Sequence, residues 1–313
     1  MVPIELAIPA LLVGILFLYK GSDILIEGTV KTAVKLGISS LVISLTVVAY
    51  GTSTPEFAIS VGAAVQSHPD ISLGNIVGSC IANILLILGL AAIIRPLPVD
   101  RTILRRDMPL MIGATLCLFL IPLFELLSVS HWVTGIIFLV FFALYIGYFL
   151  WSARKQRENS TKTHTEKITK PLIFIILGIL GVVIGAWLLI ESAVAIAQFF
   201  SIPEMIIALS MIAVGTSLPE LVVSVMAAHK KKADIALGNI IGSNVFNILL
   251  ILGISALFIS LNAAASMFHI YFLIGITGLL VFFMYTRKKI SRIEGIFFLI
   301  IYTGYLVYIF LVL

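Results

Sequence analysis

The six residues Gly51–Glu56 read GTSTPE, and 164 residues further along the chain Gly215–Glu220 read GTSLPE. The similarity extends beyond these two stretches, since Gly74–Ser79 (GNIVGS) matches Gly238–Ser243 (GNIIGS) at the same offset. Over Leu45–Gly89, 26 of 45 positions are identical to their counterparts, without a gap. The chain therefore contains an internal repeat, and any fold assigned to it has to place the two copies in equivalent surroundings.

The composition indicates a membrane protein. Of the 313 residues, 61% are hydrophobic and 11% are charged, whereas soluble domains carry roughly 25% charged residues. A hydrocarbon core of ~30 Å is crossed by about 20 apolar residues in a helix. We therefore predict an all-α, polytopic membrane protein with ten transmembrane helices. The apolar runs that define them are 4–28, 38–66, 72–94, 106–124, 131–152, 171–198, 203–229, 235–259, 267–286 and 293–312.

The repeat and the ten runs together predict the domain organisation. Residues 1–152 form a first five-helix repeat, 153–170 a hydrophilic linker, and 171–313 a second five-helix repeat. Because five is an odd number, the two repeats must cross the membrane in opposite directions. Inverted repeats of this kind are typical of transporters, with the binding site near the bilayer midplane.

The positive charges predict the orientation. All 20 Lys and Arg lie in or beside the connections that follow odd-numbered helices, and none lies in the connections 66–71, 125–131, 201–204 and 260–266. By the positive-inside rule, the basic connections and the 153–170 linker face the cytoplasm of a cell-membrane protein with both termini outside. The pI near 9.2 therefore reflects topology, and we expect no nucleic-acid partner.

Two carboxylates are placed where a membrane protein can least tolerate them. Glu56 and Glu220 are repeat-related and fall in the middle of predicted spans, where a charge costs several kcal/mol and indicates function. Hydroxyl side chains precede each of them on the same helical face. A proline before each glutamate is expected to kink the helix and free backbone carbonyls. The hydroxyl residues are Thr52 and Ser53 in the first repeat, and Thr216 and Ser217 in the second.

The following helix adds a polar stripe. Asn75, Ser79 and Asn83 are spaced four residues apart, so they share one face, and Asn239, Ser243 and Asn247 repeat the pattern. Ligation by oxygen alone selects hard cations such as Ca²⁺, Na⁺ or K⁺. The two cysteines, Cys80 and Cys117, form no metal-ligand pattern and are interpreted as core residues. One Ca²⁺ or two Na⁺ would neutralise the two carboxylates. The sequence thus predicts an inverted-repeat cation transporter without a cofactor.

With these paired motifs the chain resembles the Ca²⁺/cation antiporter superfamily, and within it the prokaryotic Na⁺/Ca²⁺ exchanger branch. The resemblance implies an antiporter, not an enzyme, that exchanges Ca²⁺ against Na⁺ by alternating access, with the first and sixth helices sliding across the other eight. It also implies a central cluster of Na⁺ and Ca²⁺ positions, and we expect a functional monomer. Matched residue by residue, the implied ligands are Ala49 (carbonyl), Thr52, Ser53, Glu56, Ser79, Asn83, Ala213 (carbonyl), Thr216, Ser217, Glu220, Ser243 and Asn247.

One position departs from the family pattern. Some archaeal exchangers and the K⁺-dependent relatives carry Asp where this chain has Asn247, which argues against K⁺ dependence and favours electrogenic exchange. An H⁺/Ca²⁺ antiporter of the same superfamily is the nearest alternative, although its branch has a GNxxE-type motif in place of GTSxPE. A cation channel is an alternative from another class. An intramembrane hydrolase based on Ser53 or Ser217 would lack a mid-span base.

Overall fold

The computed structural model describes residues 3–126, 130–158, 168–200, 215–261 and 267–312. These residues are almost entirely helical. The helices are α1 (Ile4–Leu36), α2 (Ser40–Thr52), α3 (Thr54–Val65), α4 (Pro69–Ile94), α5 (Ile103–Asp107 continued by Met108–Cys117), α6 (Leu120–Leu126), α7 (His131–Glu158), α8 (Thr169–Phe199), α9 (Leu218–His229), α10 (Ala233–Phe258), α11 (Met267–Arg287) and α12 (Arg292–Val312).

Eight of the described helical segments are long and apolar enough to cross a membrane, and Ser40–Thr52 and Leu218–His229 are shorter apolar helices. The membrane-protein prediction is thus confirmed, while the count of ten spans stays a prediction. The predicted helix 38–66 is divided into α2 and α3 at Ser53, and 106–124 is divided into α5 and α6. Of the predicted helix 203–229, residues 203–214 lie outside the described part of the chain.

Two helices extend further along the chain than predicted. α1 continues to Leu36 instead of ending near residue 28, and it stops at Gly37, whose φ of 66° lies in the left-handed region. Lys31 bonds Glu27 one turn earlier, and such a pair supports a helix beyond its apolar part. α7 continues to Glu158, six residues into the segment predicted as linker. Hydropathy marks where a helix leaves the membrane, but not where it ends.

A two-stranded antiparallel ribbon is present that the sequence did not predict. β1 (Leu97–Pro98) pairs with β2 (Lys289–Ile290), with Leu97 opposite Ile290. The Val99 N–H extends the pairing by donating to the Lys288 carbonyl at 2.9 Å. The ribbon joins the connection after α4 to the connection after α11, both of which are basic. Two residues per strand are too few to show an alternating pattern.

The long helices α1 and α8 form an antiparallel pair through glycines. A Cβ on Gly21 would lie 2.7 Å from the Val182 nitrogen, and one on Gly178 would lie 2.6 Å from the Leu25 Cα. Since real Cβ contacts are longer, only glycine permits this approach. Buried side chains of the pair form a hydrophobic cluster with α2 and α9, separate from the main core. Outside that cluster, Asp23 of α1 forms an ion pair with Lys230, just beyond α9.

The main core is built around α4 and α10. In their most apolar windows 78% and 83% of residues are buried, against 22–39% in the other candidate spans. Repeat-related elements also have matching bounds, because α3 and α9 occupy residues 54–65 and 218–229. The turns after them share a positive φ of 64° at Ser67 and Lys231, which are 164 residues apart. The internal repeat of the sequence is therefore also present in the backbone.

Candidate functional site

The helix break beside each glutamate sits where the proline was expected to cause one. Ser53 (φ −80°, ψ 12°) separates α2 from α3, and Ser217 (φ −87°, ψ 7°) precedes α9. In each case the proline occupies the first turn of the new helix, where its missing N–H costs no hydrogen bond. α3 and α9 therefore begin at the site, and each carries its glutamate in the first turn, near the positive end of the helix dipole.

The carbonyls near the break are only partly free. The Gly51 carbonyl, predicted to be released by the proline, accepts a hydrogen bond from the Thr54 hydroxyl at 2.9 Å. The Ala49 carbonyl accepts the Ser53 N–H at 3.0 Å and lies 3.2 Å from the Thr52 Oγ1. A carbonyl has two lone pairs, so Ala49 keeps some capacity for a further partner. Pro55 thus leaves the Gly51 carbonyl without its helical N–H partner, as expected, but the Thr54 hydroxyl takes up one of the two lone pairs of that carbonyl.

The two glutamates are buried, and each is bonded by a serine of the other repeat. Glu56 and Glu220 are 1% and 0% exposed. The Ser53 hydroxyl donates to Glu220 Oε1 at 2.7 Å, and the Ser217 hydroxyl donates to Glu56 Oε1 at 3.1 Å. Ser243 adds a longer contact to Glu220 Oε1, at 3.4 Å. Within the described part of the chain, neither glutamate has a hydrogen-bond partner for its second carboxylate oxygen, Oε2.

No cationic side chain balances these charges within the described residues. Buried Lys or Arg is absent from that part of the chain, and neither Glu56 nor Glu220 takes part in an ion pair there. A buried carboxylate without a counter-charge or full hydrogen bonding costs several kcal/mol. Such a pair is stable only if its charge is neutralised, and a bound cation would supply that neutralisation together with partners for the two free oxygens.

The first asparagine of the polar stripe in each repeat bonds the helix that carries the glutamate of the same repeat. Asn75 Nδ2 donates to the Ser60 hydroxyl at 2.9 Å, and Asn239 Nδ2 donates to the Ser224 hydroxyl at 3.1 Å. These two bonds are related by the 164-residue repeat. Thr52 Oγ1 also lies 3.1 Å from Asn239 Oδ1, which connects the helix break of the first repeat to the stripe of the second.

The last asparagine of the stripe in each repeat, Asn83 or Asn247, has buried polar atoms that are available to a ligand. Asn83 Oδ1, the Thr216 hydroxyl and both amide atoms of Asn247 are buried, and the described residues offer them no hydrogen-bond partner beyond the weak Cys80 thiol beside Asn247. Asn83 and Asn247 each lie in a π-helical turn, Asn83–Ile87 and Phe246–Ile251. π-helical turns are rare and occur mostly at functional sites.

Hydrogen bonds bring three of the predicted ligands, Ser53, Ser217 and Ser243, to the two glutamates. All of the predicted ligands within the described residues are buried, and Ala213 lies outside the described residues. Asn244 was not predicted as part of the site, but its Oδ1 accepts a hydrogen bond from Asn83 at 2.9 Å. Its repeat-related position is Cys80, so the comparison of the two repeats did not single it out. The usable signal was a second amide, one residue after Ser243, inside an apolar helix.

The atoms that could bind a cation in this site are all oxygens. They are carboxylate, hydroxyl, amide and backbone oxygens, and the described residues contain no group of three or more His, Cys, Asp or Glu that could hold a metal ion. Oxygen donors suit Na⁺ and Ca²⁺, while soft metals require sulfur or imidazole. This set of oxygen ligands therefore fits hard cations.

The chain is similar over most of its length to sodium/calcium exchangers. The sequence profile of the family described as sodium/calcium exchanger protein matches residues 6–151 and 170–311. The sodium/calcium exchanger MaX1 of Methanosarcina acetivorans is 34% identical, over 96% of this chain and 97% of its own length. The inner membrane protein YrbG of Escherichia coli is 36% identical over 80% of each chain. Among solved structures, the sodium-calcium exchanger NCX_Mj soaked with 10 mM Na⁺ superimposes with a TM-score of 0.84 at 32% identity, over 97% of this chain and 99% of that one.

Proposed function

The chain belongs to the sodium/calcium exchanger protein family, and from this premise we propose that it exchanges Ca²⁺ against Na⁺ across the cell membrane. It is a secondary transporter and not an enzyme. The ions are its substrates, and no cofactor is needed for their movement. The observation that carries the proposal is the pair of buried carboxylates, Glu56 and Glu220, which lack a cationic partner in the described residues and keep one free oxygen each.

The charge of this pair explains how two different ions could share one site. A formal charge of −2 is neutralised by one Ca²⁺ or by two Na⁺, so the ions compete for the same carboxylates. We propose Thr52, Ser53, Ser79, Asn83 and the Ala49 carbonyl as further ligands in the first repeat. Their counterparts in the second repeat are Thr216, Ser217, Ser243, Asn247 and the Ala213 carbonyl.

Alternating access would arise from movement of α1 and α8 across the remaining helices. Two observations support this proposal. The pair is held together by close glycine contacts along its length, and its buried side chains pack mostly in the cluster shared with α2 and α9, which is separate from the main core. A tightly packed pair that shares few residues with the main core can slide without opening that core.

We propose the topology of ten helices in two inverted repeats, 1–152 and 171–313, joined by the 153–170 linker in the cytoplasm. Contacts between basic connections support a common side for them. The ribbon joins two of these connections, the Ser39 N–H donates to Gln156 Oε1 at 3.0 Å, and Ser40 bonds Asp234. Both termini would then lie outside, and one chain would suffice for transport.

Asn247 supports electrogenic exchange without K⁺. An amide provides an oxygen ligand but carries neither a formal charge nor a titrating proton, so two carboxylates set the charge of the site. A third Na⁺ would be uncompensated and would carry net charge across the membrane. The H⁺/Ca²⁺ antiporter and the cation channel remain the alternatives, and each makes a different prediction about the driving ion.

Ion flux in proteoliposomes tests the proposal. We expect ⁴⁵Ca²⁺ uptake into vesicles loaded with Na⁺, with choline replacing K⁺ on both sides, and a change in rate when a membrane potential is imposed. Uptake should saturate with Ca²⁺ and should cease without internal Na⁺. Uptake driven by a proton gradient alone would favour the H⁺/Ca²⁺ antiporter, and Ca²⁺ flux independent of any counter-ion would favour the channel.

A further inference from the structure

A hydrogen bond between two buried amides determines which atom of Asn83 is available to an ion. Asn83 Nδ2 donates to Asn244 Oδ1 at 2.9 Å, and the two residues belong to different repeats. Among the residues that the structure describes, neither Asn83 Oδ1 nor Asn244 Nδ2 has a hydrogen-bond partner. Only an oxygen can bind a hard cation. The bond therefore uses the Asn83 atom that cannot be a ligand and leaves the one that can.

Asn244 itself is a poor ligand in this arrangement. Its oxygen accepts the hydrogen bond from Asn83, and its free atom is an amide nitrogen, which donates hydrogen bonds but does not bind cations. Both side chains are 1% exposed, so water does not compete for this bond. Any effect of Asn244 on ion binding must then pass through Asn83.

The repeat-related bond is missing. A shift of 164 residues relates Asn83 to Asn247 and Asn244 to Cys80. The Cys80 thiol is within reach of a weak hydrogen bond to Asn247, and the described residues offer the Asn247 amide no stronger partner. A thiol is a weak donor and acceptor, so it does not fix the amide as an asparagine would. One half of the site thus has an oriented amide, and the other half has a weakly held one.

We propose that Asn244 is a positioning residue that turns the Asn83 oxygen toward the transported cations, and that Cys80 leaves Asn247 without equivalent orientation. This inference rests on the proposed function, and it makes the two repeats unequal in ion binding. Residues that orient metal ligands typically contribute about 10- to 100-fold to metal affinity.

A double-mutant cycle tests the proposal. We expect Asn244→Ala to raise the Ca²⁺ concentration for half-maximal uptake about tenfold, and Asn83→Ala to raise it at least as much. The double variant should be no worse than Asn83→Ala alone, because Asn244 acts through Asn83. Multiplying effects would show independent roles and overturn the proposal, as would an unchanged half-maximal concentration in Asn244→Ala.

Two further variants separate orientation from folding. Asn244→Ser keeps an uncharged oxygen acceptor for the Asn83 amide, so it should lose less Ca²⁺ affinity than Asn244→Ala without adding a charge to the site. Cys80→Ala is the matched change at the repeat-related position, and its half-maximal Ca²⁺ concentration should rise less than that of Asn244→Ala, because a thiol is a weak hydrogen-bonding partner. A Ca²⁺ affinity of Asn244→Ser no better than that of Asn244→Ala, or an equal loss in Cys80→Ala, would contradict the proposal.

A binding measurement keeps this test independent of transport. The rise in melting temperature on adding Ca²⁺ to the purified full chain in detergent reports binding to the folded state. The Ca²⁺ concentration that produces this rise should follow the same cycle. If the wild type binds Ca²⁺ but does not exchange it for Na⁺, the proposed function fails while the role of Asn244 is still decided by the cycle.

Discussion

Replacing Gly242 with alanine should damage both the packing of α10 on α2 and the site beside it. A Cβ on Gly242 would lie 2.6 Å from the Leu45 carbonyl oxygen and 2.7 Å from the Ala49 Cβ, about 0.8 Å short of the 3.4 Å at which ordinary contact begins. Both neighbours belong to rigid helix, so the helices must separate. Overpacking of this kind costs about 1–3 kcal/mol.

The separation would also displace the turn that carries Ala49 and leads to Ser53. Misplacement of a binding group by ~1 Å can cost about a hundredfold in function, and we expect the rate of Na⁺-driven Ca²⁺ uptake to fall by about tenfold or more. Melting of the purified protein, followed by intrinsic fluorescence, together with ⁴⁵Ca²⁺ uptake measures both effects.

The control for this variant is Gly147→Ala on the exposed face of α7, where no described atom lies within 4 Å of the added Cβ. Since alanine is favoured over glycine in a helix by about 1 kcal/mol, the control should melt slightly higher and transport normally. If Gly242→Ala and Gly147→Ala behave alike, the close approach of α10 and α2 does not determine the geometry of the site.

Three other predictions concern charge and topology. Glu56→Gln and Glu220→Gln should each nearly abolish Ca²⁺ uptake while the protein still folds, because removing a buried charge relieves its desolvation cost. The control is Glu5→Gln, at an exposed position at the start of α1. Near-normal uptake by either buried variant would refute the assignment. A single cysteine at Lys231 should react only with reagent applied from the cytoplasm and one at Ser67 only from outside, so mixed labelling would contradict the inverted arrangement. Asn247→Asp adds a third carboxylate that should take up a proton or another cation, and uptake should become more pH-dependent between about pH 6 and 8; an unchanged pH profile would argue against its place in the site.

The carboxylates could be predicted from the sequence because their cost in a membrane is large and position-dependent. Glu56 and Glu220 lie in apolar runs, and the internal repeat removed the ambiguity that a single buried glutamate would leave. The polar stripe was predictable for the same reason, since four-residue spacing fixes a helical face. Burial of all these residues is what the structure adds, together with the serine that bonds each glutamate.

The features that escaped prediction are those without a periodic or compositional signal. The π-helical turns at Asn83 and Phe246 each close one hydrogen bond five residues along the chain instead of four, and the hydropathy of the helix does not show this change. The Thr54 hydroxyl satisfies the Gly51 carbonyl by a local bond that competes with the expected release. Asn244 carried no such signal because it breaks the repeat, with Cys80 at the equivalent position.

The bonds between Ser53 and Glu220, and between Ser217 and Glu56, have a consequence for the origin of such a chain. Each acidic group accepts its shortest hydroxyl hydrogen bond from the opposite half of the molecule. A half-length ancestor could complete the same arrangement only by associating with a second, oppositely oriented copy of itself. Fusion of two such genes would make that partner permanent, and each half could then accumulate changes that a symmetric dimer would be forced to carry twice. The contrast between Asn244 and Cys80 is a change of this kind.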